Sequence, residues 1–314
     1  MSDLFTVGNL SAAPGTKVEG YLEVPGTPVK MPITLINGAK EGKTVVITGG
    51  THGGEYPGVE TSIRIAKKLQ PADVAGRVAV VHPVNTPAFF AKLQYIGPYD
   101  GKNLNREYPG LATGTVTQRI AYTIKTELFT QADFYMDLHG GDIHEALTPF
   151  VIYSVLGDDE QTKLALEGSK AVGVKYVAAS TSTNGTFGCA ATMGVPGFLA
   201  EIGNLGLWSE AEVAQYMSGV ENVLRLLNVI EGDVVPNENV VLCDPMSGVD
   251  ATVQGCWYPC VGLEEEVKKG QKIGEIRDCF ANVLCEYYAP RDGVVLYVIA
   301  SLAINEGDPL IAIG

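Results

Sequence analysis

The chain has 314 residues, 46% of them hydrophobic and 18% charged, so it can bury a sizeable core and has the length of two domains or one large one. Its 36 acidic residues outnumber its 22 basic residues, which leaves a formal net charge of −14. This excess of negative charge disfavours nucleic acid and anionic membrane surfaces as partners, because both are themselves negatively charged.

The sequence carries no sign of export or membrane insertion. No run reaches the roughly 18 apolar residues of a membrane span, and the opening MSDLFTVGNL lacks the basic start and apolar stretch of a secretory signal. The six cysteines form no CxxC pair. We therefore expect reduced thiols and a cytoplasmic location.

Taken in chain order, the first two thirds alternates between strand and helix patterns. Short apolar runs predict buried strands at 44–48, 78–81, 134–138, 150–155 and 197–202. Between the first two, Pro57 and Gly58 open a helical segment, VETSIRIAKKL. Strands that alternate with helices predict an α/β fold with a largely parallel sheet.

Two further helices are predicted from their side-chain spacing. One has Val116, Ile120, Ile124 and Leu128 on a single face. The clearest helix covers 209–230, where Ser209 and Glu212 have the spacing of a capping box. Gly232 follows it as a predicted C-terminal stop.

The sequence pattern changes after residue 232. Helical periodicity stops, and short β runs separated by Gly, Pro and Asp follow: VVLCDP, YPCVGL, KIGEIRD, VLCEYYAP, GVVLYVIA and PLIAIG. This pattern is typical of a small all-β domain. We therefore expect one domain over 1–231 and a second, β-rich domain over 232–314.

Two of the four histidines follow predicted strands in glycine-rich segments. His52 lies with Glu55 in THGGEYPG, and His139 lies in FYMDLHGGD. Open α/β sheets place ligand sites at the carboxyl ends of their strands. Two imidazoles and one carboxylate form the protein ligand set of a catalytic zinc, with the fourth position left for water. HxxE by itself is a common string, but together with His139 it predicts a site for one Zn²⁺ per chain.

The other polar residues near these segments have less specific interpretations. Asp137 lies two residues before His139 on the same strand face and could orient an imidazole. His82 lies inside a hydrophobic strand, which favours a core histidine. His144 follows the second glycine-rich segment, and its position leaves a pocket wall and the surface equally open.

A hydrolytic zinc site also needs a proton acceptor and a group that holds the substrate. Glu201 ends an apolar strand in GFLAEIG, where poor solvation would raise the pKa of its carboxyl toward a useful range. Asn105 and Arg106 lie in the loop YDGKNLNREYPG, where an arginine can bind a carboxylate through two parallel hydrogen bonds. The structural alternatives are a solvent-facing glutamate and a surface ion pair.

The segments THGGEYPG, NTPAF, DGKNLNREYPG, DLHGG and FLAEIG, in this order, resemble the succinylglutamate desuccinylase/aspartoacylase family of the zinc carboxypeptidase superfamily. The resemblance covers about residues 40–230, and its DGKNLNR and DLHGG segments are more similar to the bacterial N-acyl amino acid deacylase branch than to aspartoacylase itself. It implies a mixed, mainly parallel sheet flanked by helices. It also implies that His52, Glu55 and His139 bind zinc, that Asn105 and Arg106 hold a substrate carboxylate, and that Glu201 is the general base and later the general acid.

The chain departs from this family at one position. Relatives usually carry a further arginine between the NTPAF and DGKNLNR segments, where this chain reads AFFAKLQYIGPYDGK and offers Lys92 and Gln94. Lys92 replaces the missing charge, or another part of the chain supplies it, or the substrate differs.

The C-terminal region resembles a biotinyl/lipoyl-type barrel-sandwich domain through VKKGQKIGEI, YYAPRDGVVLYV and INEGDPLIAI. A carrier domain of that type needs a lysine on an exposed hairpin. Residues 273–290 contain no lysine, and Asn282 falls near the required place. A carrier role is therefore not expected. The resemblance implies a domain that covers the active-site mouth or supports a homo-oligomer.

These observations predict a zinc-dependent hydrolase that cleaves the amide bond of a small N-acyl amino acid by metal-activated water, with Glu201 as general base. Its expected partner is a small substrate that carries a carboxylate. One alternative is a metallocarboxypeptidase that acts on peptides, which an open groove would favour over a small closed pocket. Another is a zinc-binding regulatory relative without catalysis. No GxSxG occurs, which disfavours a serine hydrolase.

Overall fold

The computed structural model describes residues 4–243 and 245–314. Its helices are α1 (Tyr56–Lys68), α2 (Thr86–Ala91), α3 (Val116–Glu127), α4 (Asp159–Ala171), α5 (Gly185–Thr192) and α6 (Glu210–Leu226). Short 3-10 turns cover Pro71–Asp73, Leu104–Arg106 and Phe129–Gln131.

The strands of the first two thirds are β1 (Phe5–Val7), β2 (Leu10–Ala12), β3 (Thr16–Glu23), β4 (Lys30–Asn37), β5 (Lys40–Gly49), β6 (Ala75–Val81), β7 (Phe134–His139), β8 (Glu145–Leu147), β9 (Phe150–Ser154), β10 (Tyr176–Ser180) and β11 (Gly197–Glu201). The remaining strands are β12 (Val241–Cys243), β13 (Ser247–Asp250), β14 (Gly255–Pro259), β15 (Glu266–Val267), β16 (Lys272–Arg277), β17 (Val283–Tyr288), β18 (Gly293–Ile299), β19 (Ala303–Ile304) and β20 (Pro309–Ile313).

A nine-stranded sheet forms the centre of the molecule, in the order β12-β10-β9-β11-β7-β5-β6-β4-β3. The pairs β12–β10, β10–β9, β11–β7, β7–β5 and β5–β6 are parallel, and the other three are antiparallel. The predicted mixed, mainly parallel α/β sheet is therefore confirmed. All five predicted strands are present, as β5, β6, β7, β9 and β11.

Strand β5 from Thr44 onward and strand β7, in the centre of this sheet, are buried without alternation because both faces of the sheet are covered there. In β5, Val46 packs into one hydrophobic core, whereas Val45 and Ile47 pack into a second core. Side chains two apart on a strand share a face, so these two cores lie on opposite sides of the sheet. The continuous apolar run TVVIT therefore supplies side chains to both cores.

Helix α6 ends earlier than the sequence indicates. Ser209 caps its start by accepting the N–H of Glu212 at 3.3 Å, but the helix ends at Leu226. Asn228, with φ of 56°, is the left-handed residue that follows. The predicted stop at Gly232 is therefore wrong, because asparagine also tolerates this conformation and reverses the chain four residues sooner.

The C-terminal region forms two further sheets. One runs β13-β20-β18-β15 with β8 added to β18, and the other runs β17-β16-β14-β19; all their pairings are antiparallel. They enclose their own hydrophobic core, which includes Trp257, Ile276 and Ile311. The predicted all-β region is confirmed.

Two strands connect the C-terminal region to the rest of the chain. β8 pairs with β18, and β12 pairs with β10 at the edge of the nine-stranded sheet. The run VVLCDP therefore contributes to the large sheet instead of the C-terminal sheets, and its Asp244 lies outside the described residues. Among the helices of the described ranges, none combines the length and apolar character needed to cross a membrane.

Candidate active site

Three adjacent parallel strands carry the residues that the sequence singles out. His52 and Glu55 follow β5, His139 ends β7 and Glu201 ends β11. β7 lies between the other two strands, and Glu201 stands in register with His139. Because parallel strands end at the same edge of a sheet, the fold brings four residues from distant parts of the sequence into one site.

The side chains of His52, Glu55 and His139 converge. One ligand atom from each lies within 4.8 Å of the other two, and all three residues are buried. The Nδ1 of His52 lies 2.6 Å from Oε1 of Glu55, and the Nδ1 of His139 lies 2.9 Å from Oε2 of the same carboxylate. Both imidazoles therefore present the same ring nitrogen to a common point beside Glu55.

The outer ring nitrogen of each histidine contacts an acceptor. Nε2 of His52 lies 3.1 Å from Oδ1 of Asn103, and Nε2 of His139 lies 2.9 Å from Oδ2 of Asp137. An acceptor at Nε2 places the proton there and leaves the Nδ1 lone pair for a metal ion. The arrangement selects the tautomer that two neutral imidazole ligands need.

Asp137 is itself fixed by its surroundings. It is fully buried on β7 and accepts hydrogen bonds from the hydroxyls of Thr48 at 2.7 Å, Thr51 at 3.2 Å and Thr186. Burial alone would raise the pKa of this carboxyl, but His139 and these hydroxyls outweigh burial and lower it. Asp137 thus remains an acceptor for His139, in the orienting position that the strand period predicts.

The donor set fits a metal ion. Oε2 of Glu55 is buried and, among the described residues, no donor reaches it with hydrogen-bond geometry, despite the nearby imidazole of His139. Burial disfavours the charged Glu55, but the two histidines lower the pKa of its carboxyl. Burial also opposes a positive charge on His139, yet Glu55 and Asp137 raise its pKa well above the ordinary value. Protons and a metal ion would therefore compete for this cluster.

Glu201 has the environment expected of a proton acceptor. Burial and then the nearby negative charge of Glu55 raise the pKa of its carboxyl well above the ordinary value. Its Oε2 is buried without a hydrogen-bond partner among the described residues. A carboxyl that lacks partners and resists ionisation is suited to taking up and returning a proton.

Asn105 and Arg106 lie in the 3-10 turn Leu104–Arg106, on the wall of the same cavity. Asn105 is buried, and its Oδ1 accepts the N–H of Thr186 at 2.9 Å. Arg106 is exposed, and its guanidinium has no ion pair or hydrogen bond with any described residue. The surface ion pair considered from sequence is thus not formed, and the guanidinium is free to bind an anion.

One cavity of about 730 Å³ is lined by His52, Glu55, His139, Glu201, Asn105 and Arg106. The C-terminal region forms one of its walls, through Asp250, Tyr297, Gly307, Asp308, Pro309 and Ala312. Other polar residues on the wall are Tyr95, Asn103, Glu145, Ser180, Ser182 and Asn184. Of the two C-terminal roles that the resemblance implies, the structure supports a cover over the site.

Lys92, His144 and His82, which were also weighed from sequence, do not line this cavity. Lys92 is exposed at the end of α2 and is not among the residues that line the cavity. His144 is also exposed, which resolves its two alternatives in favour of the surface. His82 is partly buried at the end of β6, where its Nε2 lies 3.0 Å from the Thr34 hydroxyl.

Sequence reasoning did not identify Glu145, Tyr95, Asn103 or Tyr297. Burial raises the pKa of Glu145 to about 7, although the hydroxyl of Tyr95 acts in the opposite direction. Burial likewise raises the pKa of neighbouring Asp142 to about 6. Asn103 lies within the DGKNLNR segment and Glu145 lies six residues after His139, so both were close to segments already selected. Tyr297 lies in the C-terminal region, and no local signal connects it to the site.

Comparison with known proteins gives matches over most of the chain. The family model described as "Succinylglutamate desuccinylase/Aspartoacylase catalytic domain" matches residues 41–227. A protein of Halomonas elongata, N-alpha-acetyl-L-2,4-diaminobutyric acid deacetylase, is 34% identical over 295 residues, which cover 91% of this chain and 85% of that protein.

Solved structures give matches of the same kind. The product-bound ectoine utilization protein EutE (DoeB) from Ruegeria pomeroyi has a TM-score of 0.84 and 27% identity, and the match covers 95% of each chain. A succinylglutamate desuccinylase/aspartoacylase from Rhodobacter sphaeroides has a TM-score of 0.82 and 27% identity, over 95% of this chain and 94% of that one.

Proposed function

The chain belongs to the succinylglutamate desuccinylase/aspartoacylase family, and from this premise we propose that it is a zinc-dependent deacylase that hydrolyses the amide bond of a small N-acyl amino acid. The observation that carries the proposal is the convergence of His52, Glu55 and His139 within 4.8 Å, beside the partly buried Glu201. Two imidazoles and one carboxylate are the protein ligands of many catalytic zinc sites.

We assign the binding of one Zn²⁺ to Nδ1 of His52, Nδ1 of His139 and the carboxylate of Glu55. Zinc bound there would lower the pKa of a coordinated water and polarise the amide carbonyl of the substrate. Asn103 and Asp137 hold the outer nitrogens of the two histidines and so keep both rings oriented toward the ion.

Glu201 is the proposed proton carrier. Its carboxylate takes the proton released when water attacks the amide carbonyl, and the carboxylic acid then protonates the departing amine. The raised pKa of Glu201 supports this role, because the group must hold the proton between the two steps.

Arg106, with Asn105 beside it, binds the carboxylate of the substrate. Arg106 is the only lysine or arginine among the described residues that line the cavity, and its guanidinium is unpaired. Holding the substrate by its carboxylate places the amide at the metal site, which supplies the positioning contribution to catalysis.

We propose that the preferred substrate also carries an amine, as N-α-acetyl-2,4-diaminobutyrate does. The protein of Halomonas elongata is named for that substrate. The lining of this cavity supports the same class, because the carboxylates of Asp250 and Asp308 accompany Arg106 on its walls. An amine close to these carboxylates would be favoured as its ammonium form.

The experiment measures acetate release by the zinc-loaded protein from N-α-acetyl-L-2,4-diaminobutyrate and from N-acetyl-L-2-aminobutyrate, which lacks only the terminal amine. We expect both to be hydrolysed, with kcat/KM at least about tenfold higher for the first, since a charged pair in a partly buried site contributes roughly 1.4 kcal/mol or more. Equal kcat/KM values for the two compounds would refute the proposed preference for an amine but not the proposed deacylase activity.

A peptide with a free C-terminus tests the main alternative in the same assay. Cleavage of the peptide without deacylation would indicate a carboxypeptidase. Zinc binding without hydrolysis of any of these compounds would indicate a non-catalytic relative. A cavity with a wall from the C-terminal region supports the small substrate over a peptide.

We also propose that residues 1–231 form the catalytic domain and residues 232–314 form a β-rich domain. The separate hydrophobic core of the C-terminal region supports this division.

A further inference from the structure

Glu145 joins the two parts of the chain that enclose the cavity. Its Oε1 accepts hydrogen bonds from the hydroxyls of Tyr95 and Tyr297, the latter at 3.0 Å, and its Oε2 accepts the N–H of Asp142 at 2.8 Å. Glu145 begins β8, which pairs with β18, the strand that carries Tyr297. A single buried carboxylate therefore connects the C-terminal sheet to the loops around the metal ligands.

This network contacts the first metal-binding segment at two points. The ring of Tyr95 packs edge-on against the ring of His52, with 5.7 Å between the centroids. Asp142 packs against Gly54 so closely that a Cβ at Gly54 would lie 1.9 Å from Oδ1 of Asp142. Residues of the network thus contact both His52, a proposed metal ligand, and the backbone of the THGGE segment at Gly54.

The backbone of Tyr95 shows that its position is imposed by these contacts. Its φ is 58°, in the left-handed region that aromatic residues rarely adopt. Its backbone N–H donates to Oδ2 of Asp142 at 2.9 Å, and its hydroxyl donates to Glu145. Such a conformation persists only where the surroundings hold it, and here both ends of the residue are held by the same pair of acids.

We propose that Tyr95, Asp142, Glu145 and Tyr297 form a clamp that fixes His52 in its ligating orientation, and that these four are positioning residues for the metal site. The proposal rests on the proposed function, because it assumes that His52 binds zinc. It adds that Tyr297 of the C-terminal region, which is not a ligand, sets the affinity of a site whose ligands all lie in the first 139 residues.

The clamp complements the hydrogen bond that His52 makes with Asn103. That bond holds Nε2 of His52, while Nδ1 faces Glu55 at the metal site. Tyr95 adds a packing contact to the ring itself. Groups that orient a metal ligand typically change metal affinity by about 10–100-fold when removed, even though they do not touch the ion.

The test compares zinc dissociation constants, measured by chelator competition on the full-length metal-free protein. Tyr95→Phe and Tyr297→Phe each remove one hydroxyl of the clamp. The matched control is Tyr288→Phe, which removes a hydroxyl that donates to Glu286 at 2.7 Å on an exposed strand of the same region. We expect the zinc Kd to rise about tenfold for each clamp variant and to stay within twofold for the control.

Two further readouts separate positioning from general stability. The melting temperature of each metal-free variant is also measured, and the loss of zinc affinity should persist at a temperature where every variant is fully folded. The double variant Tyr95→Phe/Tyr297→Phe should weaken zinc binding by less than the product of the single effects, because both hydroxyls act through Glu145. If Tyr95→Phe does not fold, the zinc Kd of Tyr297→Phe decides alone.

Three results would overturn the clamp. The first is a zinc Kd within twofold of the parent value for both variants. The second is a lower melting temperature with unchanged zinc affinity, which would show that the hydroxyls only stabilise the fold. These results leave the proposed deacylase intact. A parent protein that takes up no zinc at all would overturn both the clamp and the proposed function.

Discussion

Replacing Glu145 by glutamine should change how the stability of the metal-free protein depends on pH. The pKa of the Glu145 carboxyl rises from its ordinary value of 4.5 to about 7, chiefly because burial disfavours its charged form. In the unfolded chain the carboxyl loses its proton near 4.5, whereas in the folded protein it keeps the proton to about 7. Over this interval unfolding releases a proton, so rising pH favours the unfolded state.

The magnitude follows from this interval. Each pH unit corresponds to about 1.4 kcal/mol, so the span from 4.5 to about 7 is worth about 3 kcal/mol. The contribution of Glu145 to stability is fully present below pH 4.5 and is lost once the pH exceeds about 7. For a chain of 314 residues, whose unfolding entropy is near 2 cal/mol/K per residue, this amounts to about 4–5 °C in melting temperature.

The assay is thermal unfolding of parent and Glu145→Gln between pH 5 and pH 8, in the presence of a chelator. Glutamine carries no ionisable proton. The free energy of unfolding of the variant should therefore increase relative to that of the parent as the pH rises, by up to about 3 kcal/mol. The altered hydrogen bond to Asp142 shifts the stability of the variant by the same amount at every pH, so it does not affect the pH dependence. Parallel curves for the two proteins would refute the reasoning.

Glu275→Gln is the control for this experiment. Glu275 is also a buried glutamate, with 6% of its surface exposed, but hydrogen bonds from Lys272 and Arg277 lower the pKa of its carboxyl. A lowered pKa gives stability that is present above 4.5 and lost only as the pH falls through the folded-state value. The offset between this variant and the parent should therefore be flat from pH 5 to pH 8.

Three further substitutions test single residues of the site. Glu201→Gln should lower kcat about 10²–10⁴-fold at unchanged zinc content, and a retained kcat would exclude it as the proton carrier. Arg106→Lys should raise KM about tenfold with little change in kcat, because lysine cannot bind a carboxylate through two parallel bonds; an unchanged KM would place the substrate carboxylate elsewhere. Gly54→Ala should abolish zinc binding, since its Cβ would lie 1.9 Å from Oδ1 of Asp142, whereas Gly262→Ala, with nothing within 4 Å, should bind zinc normally; equal binding by both would contradict the packing.

The catalytic half of the fold and the residues of its site were accessible from sequence because they depend on short-range patterns. TVVIT and FYMDL read as buried strands, and the polar residues that follow them had to meet once both strands joined one parallel sheet. Glu201 could be added because an acidic residue at the end of an apolar strand is unusual in itself.

The remaining features depend on contacts between distant segments, which one sequence does not encode locally. Tyr297 reaches Glu145 only because β8 pairs with β18, and nothing in GVVLYVIA indicates that pairing. The end of α6 depends on Asn228, where either asparagine or a later glycine could have reversed the chain. Lys92 was a candidate through its place in the sequence, but its side chain is exposed and lies off the cavity wall.

The central claim is that His52, Glu55 and His139 bind zinc, and zinc content per chain tests it most directly. The protein is purified without chelator and assayed beside His139→Ala and the control His144→Ala, which alters an exposed histidine outside the cavity. We expect about one zinc per chain in the parent and the control, and its loss in His139→Ala. A parent that neither contains nor takes up zinc, or a His139→Ala variant that retains it in full, would contradict the account.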